Sequence, residues 1–327
     1  MPFNPNEFED LLRLEMDRIR NRVVAENGEW TVKGFIDLYK RIYTITLDTK
    51  VLSKVLELLM FPVLEEFASK NNYEIHLALQ QNHYPDLSFV SKATGKKYAV
   101  DIKSTYRAGK DRNGNERVSG MTLGTFMGYF RDRTSSSISR FPYGDYERHY
   151  VLGVIYSQVV GVDERKSFFV ESLVANESEA KEFSLMQVAE AKAEATGDVV
   201  WTKTLSSLAD IPSVAKDFDF FVQEKYRIAA DRPGSGNTKN IGSTTFLDRM
   251  VNGKGDFANL GVAVFDDYWI NYRTKEMARA DSLPKSPYKN LLEYKAHIAK
   301  GQAILSIPED EIVSEELIEE QNELPFE

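Results

Sequence analysis

Two carboxylates and one lysine are spaced so that a short β-hairpin would bring them together. Asp86 follows Pro85 and precedes the apolar run LSFV, whereas Asp101 and Lys103 close the run KYAVDIK. Residues i and i+2 of a strand project to the same face, so Asp101 and Lys103 would point the same way, with Asp86 on the adjacent strand. Such a patch suits a hard divalent cation that could polarise a phosphoryl oxygen and lower the pKa of a bound water.

The spacing of these three residues has little specificity by itself. Pro-Asp followed by Asp-x-Lys occurs by chance in many proteins, and Asp or Lys at a strand end is usually only solvated. The apolar runs beside both acids indicate core strands and so favour a metal site over solvated surface residues. Glu57 lies among Leu56, Leu58 and Leu59 of a predicted helix. It lies either at the solvated edge of that helix or in the patch as a third carboxylate.

Two polar segments have residue types that could contact DNA. In GSGNTKN, glycines let a backbone approach a groove closely, Asn can pair with adenine and the Thr methyl can touch thymine. The alternative is an ordinary flexible turn. Gln80 to His83 could contact the minor groove or phosphates, or simply join two strands. With four His in all and none paired at ligand spacing, a His-built zinc site is not expected.

The elements that must position these residues follow from periodicity and from turn signals. Residues 7–25 and 48–70 predict amphipathic helices, the second capped by Asp48 or Thr49, carrying an apolar stripe, and kinked or divided at Pro62. The stripe comprises Val51, Leu52, Val55, Leu58 and Leu59. Strands are predicted at 73–79, 87–90, 98–102, 150–160 and 218–228, an inserted surface helical segment at 162–210, a polar loop at 231–243, and helices at 246–250 and 263–272.

Composition excludes several classes of protein. The chain has 327 residues and no Cys, so disulfides, thiol nucleophiles and Cys-ligated metals are ruled out. No signal peptide or membrane-spanning run is apparent, which predicts a cytoplasmic protein without a membrane partner. The net charge is −9, but residues 92–148 hold twelve bases against six acids, and residues 222–254 hold six against three. Nucleic-acid binding depends on such local potential and not on total charge.

The last 19 residues form an acidic tail. Residues 309–327 hold nine acids and no base, so residues 1–308 balance 41 Lys and Arg against 41 Asp and Glu. We expect residues 1–308 to be a single domain, with an insertion at about 162–207, followed by this tail. The tail either imitates DNA and competes for a basic cleft or only keeps the protein in solution, and the second is the simpler interpretation.

Several motifs occur together in the order found in one family. They are DTKVLS with the following Glu57, QQNHYPD, VDIKSTY, FPYGDY, LGVIYS, GSGNTKNIGS and the later GKG at residues 253–255. The chain resembles the EcoRV-type type II restriction endonucleases, within the nuclease superfamily with a PD…(D/E)xK motif. The likeness covers about residues 40–160 and 208–274, and QQNHYPD with GSGNT is its most specific part.

The resemblance implies an α/β fold, a restriction-endonuclease-like mixed β-sheet flanked by helices. It implies a homodimer that hydrolyses double-stranded DNA with Mg²⁺, at a palindromic GATATC-like site and with blunt ends. Asp86 and Asp101 match the metal ligands of the family, and Lys103 matches its catalytic lysine. Glu57 matches an auxiliary acid that is also a metal ligand. The residues that match the family's two DNA-binding loops are Gln81, Asn82, His83, Gly234, Ser235, Gly236, Asn237, Thr238, Lys239 and Asn240.

The chain departs from the family pattern at Lys239, which stands where the family has a second Thr, and at the preceding Arg232-Pro233. A changed flanking preference or phosphate contact would follow. Two other functions use the same residues: a repair or junction nuclease with other specificity, and a DNA-binding protein without catalysis. Intact Asp86, Asp101 and Lys103 argue against the second alternative.

Overall fold

The computed structural model describes residues 7–80, 83–163, 165–234 and 239–301. They fall into two compact units. The first unit takes residues up to 16, residues 63–155 and residues from 219 onward, and the second takes residues 17–62 and 156–218. The single domain of residues 1–308 stays a prediction, and the acidic tail lies outside the described residues.

The helices and strands alternate along the chain. The helices are α1 (Glu7–Leu14), α2 (Met16–Val23), α3 (Thr49–Lys70), α4 (Glu177–Thr196), α5 (Leu247–Val251), α6 (Gly261–Asn271), α7 (Lys275–Ala280) and α8 (Leu291–Gly301). The strands are β1 (Gly34–Ile36), β2 (Arg41–Thr44), β3 (Tyr73–Leu77), β4 (Leu87–Ser91), β5 (Lys97–Lys110), β6 (Glu116–Val118), β7 (Thr122–Thr125), β8 (Tyr146–Gln158), β9 (Ser167–Val170), β10 (Thr202–Leu205), β11 (Ala215–Glu224), β12 (Ala229–Pro233) and β13 (Asn240–Ser243).

A sheet with strand order β11-β8-β5-β4-β3 carries the first unit, and β6 pairs with β5. Strands β3, β4 and β5 are antiparallel neighbours, and Gly95 has a positive φ in the β4–β5 turn. Phe8 of α1 stacks on Tyr98 of β5 with ring centroids 4.4 Å apart, and Phe67 packs edge-on to Phe89. Burial of these aromatic side chains holds the helices against the sheet.

A smaller sheet of the first unit carries the polar segment after residue 233. Its order is β12-β13-β7, with antiparallel pairs. The polar loop predicted over 231–243 is therefore wrong in extent, because both of its ends are paired strands. The strand predicted over 218–228 also ends earlier, since β11 stops at Glu224 and a 3-10 turn spans Lys225–Ile228.

The second unit contains a sheet with order β1-β2-β9-β10. Strand β10 runs parallel to β9, whereas β2 is antiparallel to it, so the sheet is mixed. Helix α4 packs Phe183 against Phe169, and Glu190 accepts hydrogen bonds from the backbone and hydroxyl of Thr204. The segment predicted as helical over 162–210 is thus a helix between two strands, because Phe168, Phe169 and Val170 are buried. The predicted α/β class with a mixed sheet and flanking helices is confirmed.

The two N-terminal helical predictions need correction. The helix predicted over 7–25 is two helices separated at Glu15. Helix α3 is continuous through Pro62, so the predicted division is wrong. Asp48 caps α3 as predicted, since its Oδ1 accepts from Lys50 N at 2.7 Å.

The buried face of α3 also differs from the predicted stripe. Leu52, Leu56 and Met60 are buried, whereas Leu58 is 65% exposed. The buried positions recur every four residues, as a single helix face requires. No helix among the described residues is both long enough and apolar enough to cross a membrane.

Candidate active site

The β4–β5 hairpin brings the two predicted carboxylates to neighbouring positions. Leu87 lies opposite Val100 in the antiparallel register, and Asp86 and Asp101 come one residue beyond that pair. The Asp86 side chain reaches across the hairpin, because its Oδ2 accepts a hydrogen bond of 2.7 Å from Ile102 N. Strand alternation then puts Lys103 on the face of Asp101.

Lys103 lies between the two carboxylates. Its Nζ is 2.8 Å from Asp101 Oδ2 and 3.9 Å from Asp86 Oδ2. The Asp101 side chain is 10% exposed, against 28% for Asp86 and 26% for Lys103. The three residues therefore form the patch that the sequence predicts, with Asp101 at its buried end and Asp86 open to solvent.

Charges around Asp101 keep it ionised. Burial by itself would raise the pKa of this carboxyl, but the ammonium of Lys103 opposes burial through its charge and its hydrogen bond. Lys225 adds a further positive charge, and the pKa of Asp101 ends below its usual value. An ionised, partly dehydrated carboxylate beside a second one is a good oxygen donor for a hard divalent cation.

Backbone hydrogen bonds fix the turn that leads into Asp86. Tyr84 N donates to Ile138 O at 3.0 Å, and Arg140 N donates to Tyr84 O at 3.0 Å. Beyond the cis Tyr84–Pro85 bond, Ala78 N donates to Asp86 O at 3.1 Å. The patch thus rests on a turn with both flanks hydrogen-bonded, which suits a site that must hold its geometry.

An aromatic cluster lies against the Tyr84 side of this turn. Tyr84 stacks on Tyr129 at 4.9 Å, and its hydroxyl hydrogen-bonds to His149 Nδ1 at 2.8 Å. His149 in turn stacks on Tyr143 at 3.8 Å. Burial, with smaller effects from Lys225 and other charges, lowers the pKa of His149 well below its usual value. His149 is therefore a neutral, buried support for the turn.

Lys225 is a residue beside the site that the sequence analysis missed. It is 3% exposed, and among the described residues its Nζ has no hydrogen-bond partner. The rings of Tyr84, Phe130 and Tyr143 surround it, with centroids 5.0 to 5.5 Å from Nζ. Only its position just after the buried strand β11 could have distinguished it from a surface lysine.

Glu57 belongs to the second unit, whereas the Asp86, Asp101 and Lys103 patch belongs to the first. Its Oε2 lies 2.5 Å from Lys54 Nζ, one turn away on α3, and its side chain is 24% exposed. Within the described residues, no group of three or more His, Asp or Glu side chains could hold a metal ion. The role of Glu57 as a third carboxylate stays a prediction.

The predicted DNA-binding residues are described only in part. Gly234 N donates to Asn240 O at 3.1 Å, so β12 and β13 bring the two ends of the loop together. A Cβ at Gly234 would lie 3.0 Å from Thr122 Cγ2, which accounts for the glycine. Lys239 O accepts from Phe126 N at 3.0 Å and from Thr125 Oγ1 at 2.9 Å. Ser235, Gly236, Asn237, Thr238, Gln81 and Asn82 lie outside the described residues.

His83 is the described member of the second DNA-binding segment. Its backbone N donates to Gln80 O at 3.0 Å, and its ring is partly buried. Within the described part of the chain, its Nδ1 is buried without a hydrogen-bond partner. This hydrogen bond links His83 to Gln80 immediately before Tyr84.

Ion pairs reduce the local positive charge that the sequence indicates. Arg107 pairs with Asp219, and Arg148 pairs with Glu224 at 3.0 Å. Other bases of the two stretches pair similarly: Lys96, Lys97, Lys110, Arg133, Arg249 and Lys254. The simple count of bases therefore overstates the potential available to DNA.

Comparison with known proteins decides the family. The family model for the restriction endonuclease EcoRV matches residues 26–198 and 191–299. The chain is also 32% identical over 284 residues to the type II restriction enzyme EcoRV of Escherichia coli, which covers 86% of this chain and 96% of that enzyme. The chain belongs to the EcoRV family of restriction endonucleases. It is a type II site-specific deoxyribonuclease, and enzymes of this family depend on divalent metal ions.

The match is longer than the motifs alone indicate. The family model continues through residues 162–207 and on to residue 299, which the sequence analysis placed outside the likeness. The strands β9 and β10 and the helix α8 are therefore parts of the family fold. The motifs that indicated the family in the sequence lie outside these three elements.

Proposed function

We propose that the enzyme hydrolyses phosphodiester bonds of double-stranded DNA with Mg²⁺ held by Asp86 and Asp101. The observation that carries the proposal is the patch in which Lys103 Nζ lies 2.8 Å from Asp101 and 3.9 Å from Asp86. Two carboxylates offer the hard oxygen donors that Mg²⁺ prefers. When bound there, Mg²⁺ would supply Lewis-acid polarisation of the phosphate and a lower pKa for water.

Each residue of the patch has a separate task in the proposal. Asp101 is buried and ionised, so it provides a fixed negative charge at the inner end of the site. Asp86 is positioned by the hydrogen bond from the Ile102 amide and presents its carboxylate at the solvent-exposed end of the site. Lys103 donates hydrogen bonds that orient the attacking water and stabilise the charge on the phosphate. Glu57 is proposed as an auxiliary acid.

The reaction proposed is an in-line displacement. The oxygen of water attacks phosphorus from the side opposite the leaving 3′ oxygen and loses a proton to solvent. The bond from phosphorus to the 3′ oxygen breaks, and that oxygen gains a proton. The products are a 5′-phosphate and a 3′-hydroxyl.

Sequence recognition is proposed to lie in the segments 81–83 and 234–240. Asn237 and Thr238 have the groups to read adenine and the thymine methyl in the major groove. The paired strands β12 and β13 provide a firm base for that loop. A palindromic GATATC-like site with blunt cutting is the specificity proposed, and its flexible central TA step would favour bending.

A homodimer would match such a palindrome, with each subunit cutting one strand. The hairpin of β1 and β2 exposes large apolar side chains at the edge of a sheet. We propose that a second copy of the chain packs against them. They are Phe35, Ile36, Leu38, Tyr39 and Tyr43. Replacing Ile36, which is 59% exposed, by Asp should shift the molar mass in light scattering from dimer to monomer.

Substitution of Asp101 tests the catalytic proposal. Asp101→Ala should abolish cleavage of a long duplex in Mg²⁺, with DNA binding in EDTA unchanged or tighter because a negative charge is lost. Ser88→Ala on β4 is a matched control, since Ser88 is buried and bonds Tyr146 instead of the patch. Cleavage by Asp101→Ala would contradict the assignment. Loss of cleavage accompanied by loss of the folded circular dichroism spectrum would also contradict it.

A further inference from the structure

Lys225 carries a charge in a place where a charge is unfavourable. Its side chain is buried, and among the described residues it has no hydrogen-bond partner for its ammonium. Burial lowers the pKa of Lys225 to about 8, so the group is mostly charged at neutral pH. Contacts with three aromatic faces return only part of the lost hydration. A methionine of similar length would fill the same space without that penalty.

The charges facing Lys225 point toward the site. Asp101 attracts it most strongly, and Lys103 repels it. Asp266 and Arg133 also act on Lys225, but they pair with each other at 2.6 Å and so largely cancel. Asp101 already has Lys103 at 2.8 Å, so it does not need a second cation to be stable.

The local charge therefore sums to zero before any cation binds. Asp86 and Asp101 contribute two negative charges, and Lys103 and Lys225 contribute two positive ones. A divalent cation must then enter a neutral cluster whose two ammonium groups repel it. A phosphodiester placed at the patch adds a negative charge and restores the attraction.

We propose that Lys225 is a resident counter-charge of the Asp86 and Asp101 site, which weakens divalent-cation binding to the enzyme without DNA. The inference rests on the metal site given under Proposed function. Lys225 is a positioning residue in this account, because it acts on the cation through the charge of the site and touches neither substrate nor metal. Lys225 begins the 3-10 turn Lys225–Ile228, which leads into β12 and then to Gly234.

Direct titration of the DNA-free protein with Mn²⁺, followed by electron paramagnetic resonance of the free ion, tests the inference. Lys225→Met removes the charge and keeps the length, and it should bind Mn²⁺ about tenfold more tightly than the unmodified enzyme. Lys70→Met removes the same charge from an exposed pair with Glu66 and should bind Mn²⁺ as the unmodified enzyme does. Equal affinity of Lys225→Met and the unmodified enzyme, including no detectable binding by either, would overturn the proposal.

Two further measurements separate the possible failures. Thermal unfolding in EDTA should give Lys225→Met a midpoint at or above that of the unmodified enzyme, whereas a merely structural lysine would lower it. If Lys225→Met does not fold, Lys225→Gln takes its place. Asp101→Ala should remove Mn²⁺ binding. If Asp101→Ala still binds Mn²⁺, the proposed metal site is wrong. If Asp101→Ala loses Mn²⁺ binding but Lys225→Met binds Mn²⁺ as the unmodified enzyme does, only the counter-charge role of Lys225 is wrong.

Discussion

At the scale of single residues, the proposed chemistry depends on the ammonium of Lys103, which lies between the carboxylates of Asp86 and Asp101. Lys103→Met should reduce the single-turnover cleavage rate by about 10²- to 10⁴-fold, because a positioned donor to the reacting groups is lost. DNA affinity in EDTA should change little. Lys97→Met is the control, since Lys97 lies on the same strand but pairs with Asp145 at 3.4 Å. Full cleavage by Lys103→Met would contradict the role proposed for Lys103.

His149 should make the enzyme sensitive to mild acid. Its folded pKa lies well below 6.5 because the ring is buried, so the unfolded chain takes up a proton first as the pH falls. The stability due to neutral His149 is fully present above pH 6.5 and is lost progressively as the pH falls below that value. His149→Gln should lack this loss, so its free energy of unfolding should approach that of the unmodified enzyme at pH 5.5. A constant difference at both pH values, in urea unfolding, would contradict the assignment.

The patch could be predicted from residue types on neighbouring strands, whereas the buried residues around it could not. Strand alternation and a hairpin suffice to bring Asp86, Asp101 and Lys103 together, and the structure brings them together. Lys225 gave no such signal, because it is surrounded by rings that lie far away in sequence, at positions 84, 130 and 143. His149 gave none because its hydrogen-bond partner, Tyr84, lies 65 positions away. Contacts of that kind follow from the tertiary fold and not from local spacing.

At the scale of elements, the site depends on close packing within the sheet that carries it. Gly153 of β8 lies directly under Phe221 of β11, and a Cβ there would fall 2.0 Å from the ring. Gly153→Ala should lower the free energy of unfolding by about 1–3 kcal/mol, because the ring must move out of a packed core. Gly120→Ala is the control, since its Cβ would meet only Thr245 Cγ2 at 3.4 Å. Equal loss in the two variants, in urea unfolding, would contradict the packing argument.

Elements with a strong local period were predicted well, and elements that depend on partners were not. The alternation and turn signals of β3, β4 and β5 gave their positions correctly, apart from the length of β5. Strands β9 and β10 are only four residues each, and the Ala- and Glu-rich helix α4 dominates the composition between them. Both segments are strands because β9 pairs with β10 and with β2. Pairing of this kind leaves no local pattern in the sequence.

At the scale of the whole molecule, charge is divided between a neutral body and an acidic end. A groove of about 730 Å³ in the described residues is lined by Lys275, Arg279, Lys285, Lys289 and Lys300, with Glu293 as its one acid. Helix α8 forms one wall of this groove and ends at Gly301, and the acidic residues of the sequence begin at Glu309. The tail and DNA are both polyanions, so they would compete for such a surface.

Truncation after Pro308 tests that competition. Removal of nine acids should tighten DNA binding at low salt, and the gain should shrink as salt screens the charges. The measurement is the DNA dissociation constant of both proteins in EDTA at several salt concentrations. An unchanged affinity and salt dependence would exclude competition and leave the tail a solubilising role.

The proposed function requires the patch to cut both strands of DNA at one defined sequence. The decisive measurement is digestion of a long duplex of known sequence with the purified enzyme and Mg²⁺, followed by sequencing of every new end. We expect blunt ends centred in GATATC, with 5′-phosphates, and no new ends in EDTA or with Asp101→Ala. Ends scattered without a common sequence, or no new ends in Mg²⁺, would contradict it.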